Sequence, residues 1–284
     1  MVFSNKIKKN SIKITCIIVI LIMERIKIFQ VDAFTSDLFA GNPAAVCPLD
    51  NWLPDEVMQS IAFENNLSET AFFIKNNNKY FIRWFTPKVE IDLCGHATLA
   101  AAHVMFSEMN LKDDNIEFTT ITGDILKVVI NNNILSMNFP SYEPKIINQN
   151  LEEISVGLDV LPTSFLYHNY GLAVFNNEEE IIKIKPNFNT LVNLPYNGII
   201  ATAPGENVDF VSRFFCPKYG VPEDPVCGSA HCMLTPYWAS KMNKLDLLAH
   251  QVSKRGGEIH CRLIEDRVEL KGQAVQYLKG RIKF

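Results

Sequence analysis

The hydrophobic positions of this chain change period repeatedly, and the changes predict short strands around a few helices. Alternation over 26–34 predicts a first strand. The turn residues Gly41-Asn42-Pro43 lead into an apolar strand, Ala44-Ala45-Val46-Cys47. Leu53 to Asn65 reads as an amphipathic helix with Val57, Ile61 and Ala62 on one face. Strands follow at Thr70–Ile74 and Tyr80–Phe85, parted by the turn Asn76-Asn77-Asn78. The stretch His96–Phe106 is apolar nearly all round, which places a helix inside a lobe rather than on its surface. Short strands over 116–139 break at Gly123-Asp124 and Asn131-Asn132-Asn133. The second half repeats this grammar: strands near 166–175, 197–202 and 208–215, a helix from Ala230 to about Lys241, then strands near 249–252, 258–264, 267–271 and 274–283.

One segment occurs twice. Arg83-Trp84-Phe85-Thr86-Pro87-Lys88 leads through Glu90 and Asp92 to Cys94-Gly95-His96-Ala97. Arg213-Phe214-Phe215-Cys216-Pro217-Lys218 leads through Glu223 and Asp224 to Cys227-Gly228-Ser229-Ala230. Each copy is an aromatic strand, a proline turn, an acidic stretch, then Cys-Gly-x-Ala opening an apolar helix. The expected fold is therefore α+β, with two similar lobes, each a barrel-like sheet around one central helix, and a cleft between them. The first lobe is expected over 24–145, with a last strand at about 274–284 returning to it. The second is expected over 146–273, after a polar boundary near 140–150.

Composition narrows the class. The chain is 48% hydrophobic and 20% charged, with a net charge of −4 and no basic patch, so a nucleic-acid partner is not expected. Seven cysteines, an odd number in a chain with an ample core, argue against a disulfide framework and for a reducing, cytoplasmic compartment. Residues 1–23 stand apart: Lys6, Lys8, Lys9 and Lys13 precede an apolar run from Ile14 to Met23. That run is about half the ~20 residues a membrane span requires. No small-residue cleavage site follows, so it is read as an upstream start or a dispensable extension, with Met23 the working start and no membrane partner expected; an export or anchor segment is the lesser alternative.

The candidate chemistry gathers at the two helix starts. A helix N-terminus offers unpaired N–H groups and the positive end of the dipole, and glycine lets a ligand come close. Gly95 with Ala97, and Gly228 with Ser229 and Ala230, would together receive a small carboxylate. The bland alternative is that each glycine only permits a tight turn. Cys94 and Cys227 occupy equivalent places, where a thiol is expected to have a depressed pKa and could serve as one of two opposed bases; they could equally be small buried hydrophobes. Cys94 with His96, and Cys227 with His231 and Cys232, are soft donors, but they crowd onto helix starts without the usual zinc spacing, so no metal is expected. Glu69 follows a helix and opens an apolar strand; partial desolvation there would make it a useful acid/base. His96 and Asp224 lie beside the helix starts, where they can orient a polar substrate. Taken alone, Glu69 reads more simply as a solvated loop glutamate, and His96 and Asp224 as surface residues.

Taken in order, the motifs Asp32-Ala33-Phe34, Gly41-Asn42-Pro43-Ala44-Ala45-Val46, Asn66-Leu67-Ser68-Glu69-Thr70-Ala71-Phe72, Arg83-Trp84-Phe85-Thr86-Pro87, Cys94-Gly95-His96-Ala97-Thr98, Glu223-Asp224-Pro225-Val226-Cys227-Gly228-Ser229-Ala230-His231 and Arg255-Gly256-Gly257-Glu258 resemble the phenazine-biosynthesis PhzF-like isomerase family from about residue 25 to the end. The resemblance implies a diaminopimelate-epimerase-like fold with the active site between the lobes. It implies a proton-moving isomerase of the trans-2,3-dihydro-3-hydroxyanthranilate type, with Glu69 as acid/base and His96 and Asp224 contacting the substrate or handling its proton. Asn42 and Ser68 join the implied substrate-binding set, and a homodimer is common in such proteins. One departure stands out: Cys94 and Cys227 match the paired bases of related epimerases and racemases rather than the phenazine enzyme.

Three readings remain open at this point. The first is an isomerase without cofactor or metal, acting on a small carboxylate through Glu69. The second is a two-thiol amino-acid racemase or epimerase using Cys94 and Cys227. The third is a non-catalytic small-molecule binding protein that keeps the fold alone. No Gly-x-Gly-x-x-Gly or phosphate loop points to a nucleotide.

Overall fold

The computed structural model describes residues 25–109, 111–148 and 151–284; the extension assigned to 1–23 lies outside the described residues. The strands join into a mixed sheet of 18 strands that forms two lobes. In the first lobe Arg25–Ala33 pairs antiparallel with Asn42–Leu49, which runs parallel to Glu69–Asn76. Glu69–Asn76 pairs antiparallel with Lys79–Phe85, which runs parallel to Asn115–Thr119. Ile125–Asn131 and Ile134–Pro140 continue as a meander. The second lobe follows the same course through Ser164–Tyr167, Gly171–Val174, Ile199–Pro204, Phe210–Cys216, Asp246–Gln251, Gly257–Ile264 and Arg267–Gly272.

The lobes meet where Ile134–Pro140 pairs antiparallel with Arg267–Gly272, with Met137 opposite Leu270. Both residues lie 43 positions after their own helix-start cysteine (137 − 94 and 270 − 227), so this pair marks a pseudo-two-fold axis. The closing strands then cross over: Lys145–Ile146 adds to Ser164–Tyr167, and Ala274–Lys283 adds to Arg25–Ala33.

Each lobe wraps one helix, Gly95–Glu108 in the first and Gly228–Met242 in the second. Alanines at 97, 100, 101 and 102 are fully buried and let the strands close on the first helix. The second helix contains Pro236, which has no N–H for the carbonyl of Cys232. That carbonyl instead accepts the backbone N–H of Tyr142, 2.9 Å away, which draws the lobe junction onto the helix. One apolar core spans both central helices, with smaller clusters under the outer helices of each lobe.

The strand expected near 166–175 is two strands, Ser164–Tyr167 and Gly171–Val174, with a hairpin between them. Three short helices, Leu151–Leu158, Glu178–Lys183 and Phe188–Leu191, lie outside the sequence expectations. Among the described residues, the six cysteines are free and buried, and no helix is long and apolar enough to cross a membrane.

Candidate active site

The repeated segment builds the site by the same device twice. Arg83 donates from Nε and Nη2 to both oxygens of Glu90, each at 2.7 Å, and Arg213 does the same to Glu223 at 2.8 and 2.9 Å. A bidentate, largely buried pair fixes its acidic stretch against its aromatic strand. The chain then turns through an extended cysteine, Cys94 or Cys227, into the central helix.

Neither Gly95 nor Gly228 has a positive φ, and a Cβ at either would meet only ordinary contacts, Phe139 at 3.5 Å or Leu270 at 3.6 Å. The fold therefore does not require glycine at these positions. What the missing side chains do is leave the helix-start amides open to a ligand.

Both starts face a cavity of about 410 Å³ between the lobes. The first lobe supplies Ser68, Glu69, Cys94, Gly95 and His96, and the second supplies Asp224, Cys227, Gly228 and Ser229. Phe139, Tyr142, Tyr170, Phe214 and Tyr219 complete the walls. Asn42, Ala97 and Ala230 are not on the lining; all three are buried behind it. A separate hollow of about 400 Å³ beside His250, Arg255 and Glu258 contains neither helix start.

Glu69 reaches the cavity because the helix Asp55–Asn65 ends in a left-handed Asn66 (φ 49°), which turns the chain into the strand that Glu69 opens. Its carboxylate lies 3.1 Å from His96 Nε2, with side chains 13% and 5% exposed. The two atoms are not aligned as a full hydrogen bond, so Glu69 Oε2 and His96 Nε2 remain buried without a hydrogen-bond partner. Burial alone would lower the His96 pKa; the carboxylates of Glu69 and Asp224 outweigh it and raise it. Asp224 is pushed up to about 6, chiefly by burial and further by Glu69, against the pull of His96.

The side-chain amide of Asn42 donates to Asp224 Oδ1 at 2.7 Å and to the carbonyl of Val226 at 3.0 Å, and its nitrogen lies 3.2 Å from His96 Nδ1. Glu69, Cys94 and His96 bring oxygen, sulfur and nitrogen donors within 4.8 Å of one another. The imidazole, however, turns Nδ1 toward Cys94 (3.5 Å) and Nε2 toward Glu69, so its nitrogens serve two partners rather than one common point.

Residues 31–280 match the sequence model of the family described as phenazine biosynthesis-like protein. A Pseudomonas aeruginosa protein named as an uncharacterized isomerase is 48% identical over 260 residues, 91% of this chain and 99% of that protein. The crystal structure of a PhzF-family phenazine biosynthesis protein from Enterococcus faecalis superposes with a TM-score of 0.89 at 44% identity, covering 92% of this chain and all of that one. The chain belongs to the phenazine biosynthesis-like family. It is an enzyme of that isomerase family. A hydroxyproline epimerase from Agrobacterium vitis shares the fold alone, with a TM-score of 0.61 at 8% identity over 92% of this chain and 93% of that one.

In this phenazine biosynthesis-like chain the two thiols depart from the expectation of a depressed pKa. Burial pushes both well above the usual thiol range, and the charges of Glu69 on Cys94 and of Asp224 on Cys227 add to it. The Ala97 and Ala230 amides act the other way, but neither closes a capping hydrogen bond. The helix dipole is thus outweighed. His231, grouped with Cys227 and Cys232 in the sequence, faces inward: its Nδ1 contacts the Cys227 carbonyl at 2.7 Å, and burial pulls its pKa down to about 4.

Sequence reasoning missed Tyr170 and Gln251. The Tyr170 hydroxyl lies 3.1 Å from Ser229 Oγ, which is 3.2 Å from Cys227 Sγ. Gln251 accepts the Cys227 N–H at 2.9 Å and donates to the Asp224 carbonyl at 2.6 Å, bracing the second helix start. Tyr170 sits in a hairpin that was read as continuous strand, and Gln251 ends an ordinary strand. Phe214, which packs 4.7 Å from Tyr170, was the one visible pointer, because it belongs to the repeated segment.

Proposed function

We propose that this enzyme is a cofactor-independent isomerase that moves a proton on a small carboxylate substrate, with Glu69 as the acid/base. The observation that carries this reading is the buried Glu69–His96 pair, whose facing oxygen and nitrogen lack hydrogen-bond partners, set in a cavity onto which two helix N-termini open. The substrate carboxylate is held by the amides at Gly95 and Gly228, with Ser68 and Ser229 beside them. Glu69 removes a proton α or vinylogous to the carboxylate and returns it elsewhere on the same face. His96, whose positive charge the two carboxylates favour, steadies the anion that develops, and Asp224 orients the substrate from the opposite lobe. The substrate class includes cyclic unsaturated amino carboxylates of the dihydro-hydroxyanthranilate type.

The test is proton exchange by NMR in heavy water with a panel of small amino acids and cyclic β,γ-unsaturated carboxylic acids. Wild type exchanges a substrate proton for deuterium; Glu69→Gln binds the compound but loses exchange by ~10³-fold or more. Full exchange in Glu69→Gln would sink the reading. A second reading has one observation in its favour: Cys94 and Cys227 both line the cavity from equivalent helix starts. A two-thiol racemase would instead lose exchange at amino-acid α-protons in Cys94→Ser and in Cys227→Ser.

A further inference from the structure

Glu69 and His96 come from the first lobe and Asp224 from the second, and one amide joins them. Asn42 is fully buried, and its Nδ2 faces Asp224 Oδ1, the Val226 carbonyl and His96 Nδ1. The Val226 carbonyl can only accept, so it is the amide nitrogen, not the oxygen, that points this way. His96 Nδ1 therefore meets a donor and the thiol of Cys94, and the neutral ring carries its hydrogen on Nε2, toward Glu69.

What holds Asn42 comes from the second lobe. Arg255 donates from Nε to the Gly41 carbonyl and from Nη2 to the Ala40 carbonyl and to Asp32 Oδ1, each at 2.8 Å. The Gly41 N–H donates to the Gly256 carbonyl at 2.8 Å. Gly41 has φ +63°, and a Cβ there would lie 2.2 Å from the Ala33 carbonyl oxygen, so the turn depends on glycine. Asp32 is 2% exposed and also accepts the Phe39 N–H at 3.1 Å, which braces the loop from below.

We propose that Arg255 is a positioning residue for the reaction: from the second lobe it fixes the Ala40-Gly41 turn and, through it, the Asn42 amide that sets the His96 tautomer and the placement of the Asp224 carboxylate. This rests on the reading in which Glu69 moves the proton, His96 steadies the anion and Asp224 orients the substrate. Arg255 touches none of the three; its influence passes through residues 40–42, beside a second tie in which the Gly256 N–H donates to Ser253 Oγ and that hydroxyl donates to the Pro225 carbonyl. The groups facing His96 are Glu69, Asp224, Cys94 and Asn42; those facing Asp224 are His96, Glu69, Cys227, Asn42 and the Val226 N–H.

The test is ¹⁵N NMR of histidine side chains in the full-length protein, with His96 assigned through His96→Gln and Asp224 followed by its carboxyl ¹³C signal. At a pH above the raised His96 midpoint, where the ring is neutral, wild type gives a bare Nδ1 and a protonated Nε2. Asn42→Ala mixes the tautomers and raises the Asp224 midpoint by about one pH unit, the effect of one lost hydrogen bond to a charged group. Arg255→Ala moves both signals in the same direction without touching either residue, and Arg255→Lys, which keeps the charge but gathers its donors on a single nitrogen, falls between. Should Arg255→Ala not fold, Asp32→Asn carries the test, because it removes one ion pair and leaves both carbonyl bonds; a smaller shift in the same direction is expected. Folded Arg255 or Asp32 variants with unchanged His96 and Asp224 signals overturn the proposal. None of these signals needs a substrate. A failed exchange assay thus leaves this inference standing, and silent nitrogen spectra leave the Glu69 reaction standing.

Discussion

Replacing Asp224 with Asn should stabilise the protein at neutral pH and leave it nearly unchanged near pH 4. Asp224 ionises at about 6 in the fold, against an ordinary value of 3.8, chiefly because its carboxyl is buried. The folded state therefore holds that proton more tightly than the unfolded chain does. Below pH 3.8 both states carry the proton and the contribution to stability is complete; as the pH rises through about 6 it is lost. The gap, at about 1.4 kcal/mol per pH unit, is worth about 3 kcal/mol. The residue as a whole is only part-buried, and solvent screening reduces that to about 2 kcal/mol. Asparagine keeps an oxygen for the Asn42 amide, which donates at 2.7 Å, and removes the charge. Calorimetric scans of wild type and Asp224→Asn from pH 4 to 7.5 should show the variant gaining about 4–8 °C in Tm between the two ends, the shift expected of a chain this size. An offset between the two proteins that is the same at pH 4 and pH 7.5 would refute the reasoning, because then no proton linkage resides at this carboxyl.

Two further substitutions separate the scaffold from the chemistry. Gly95→Ala meets only ordinary packing against Phe139 at 3.5 Å, so its stability should stay within about 1 kcal/mol of wild type, while affinity for a probe anion such as benzoate falls tenfold or more; thermal melts and a benzoate titration would check both. Glu90→Gln leaves Arg83, whose side chain is 10% exposed, with only Asp55 as a charged partner and should destabilise by about 3 kcal/mol in urea denaturation.

The fold was legible because the same pattern occurs twice. Two stretches apolar on every side, each opened by Cys-Gly, can only be core helices, and strands of alternating character can only wrap them. The helix Phe188–Leu191 was not legible, since four residues carry no stripe long enough to register against a period of 3.6, whereas Leu151–Leu158 and the Asn177-capped Glu178–Lys183 did carry helix signals. The hairpin at 167–171 was legible, although one continuous strand was expected there: His168, Asn169 and Gly171 carry turn chemistry between two short apolar strands. Of the site, both cysteines were legible from the repeat, and Glu69, His96 and Asp224 only through the family resemblance; all five line one cavity. The thiol pKa values were not, because the dipole is a local property of a helix start whereas their chief opponent is burial by strands packed from elsewhere in the chain, with Glu69 and Asp224 adding to it. Asn42 was expected to touch substrate; it lies behind the lining, where its partners are Asp224, 182 residues away, and His96, 54 away, and no sequence pattern encodes such a meeting.

The pseudo-two-fold axis also bears on which group moves the proton. Ala71 pairs with Trp84 and Ile200 with Phe214, so Glu69 in the first lobe corresponds to Gly198 in the second. A Cβ at Gly198 would fall 2.6 Å from the Phe214 ring, so the second lobe has no room for a side chain where the first places its carboxylate. His96 likewise corresponds to Ser229, since each is the second residue of its central helix. The thiols are thus what the two lobes have in common, and the carboxylate with its imidazole is what they do not. A two-base racemase needs matched bases on opposite faces of its substrate. Here matched places hold thiols that burial keeps protonated, while the Glu69–His96 pair, the acid/base of the proposed reaction, stands on a single face. A duplicated scaffold with an unduplicated base favours abstraction and return on that face, which relocates a proton rather than inverting a centre.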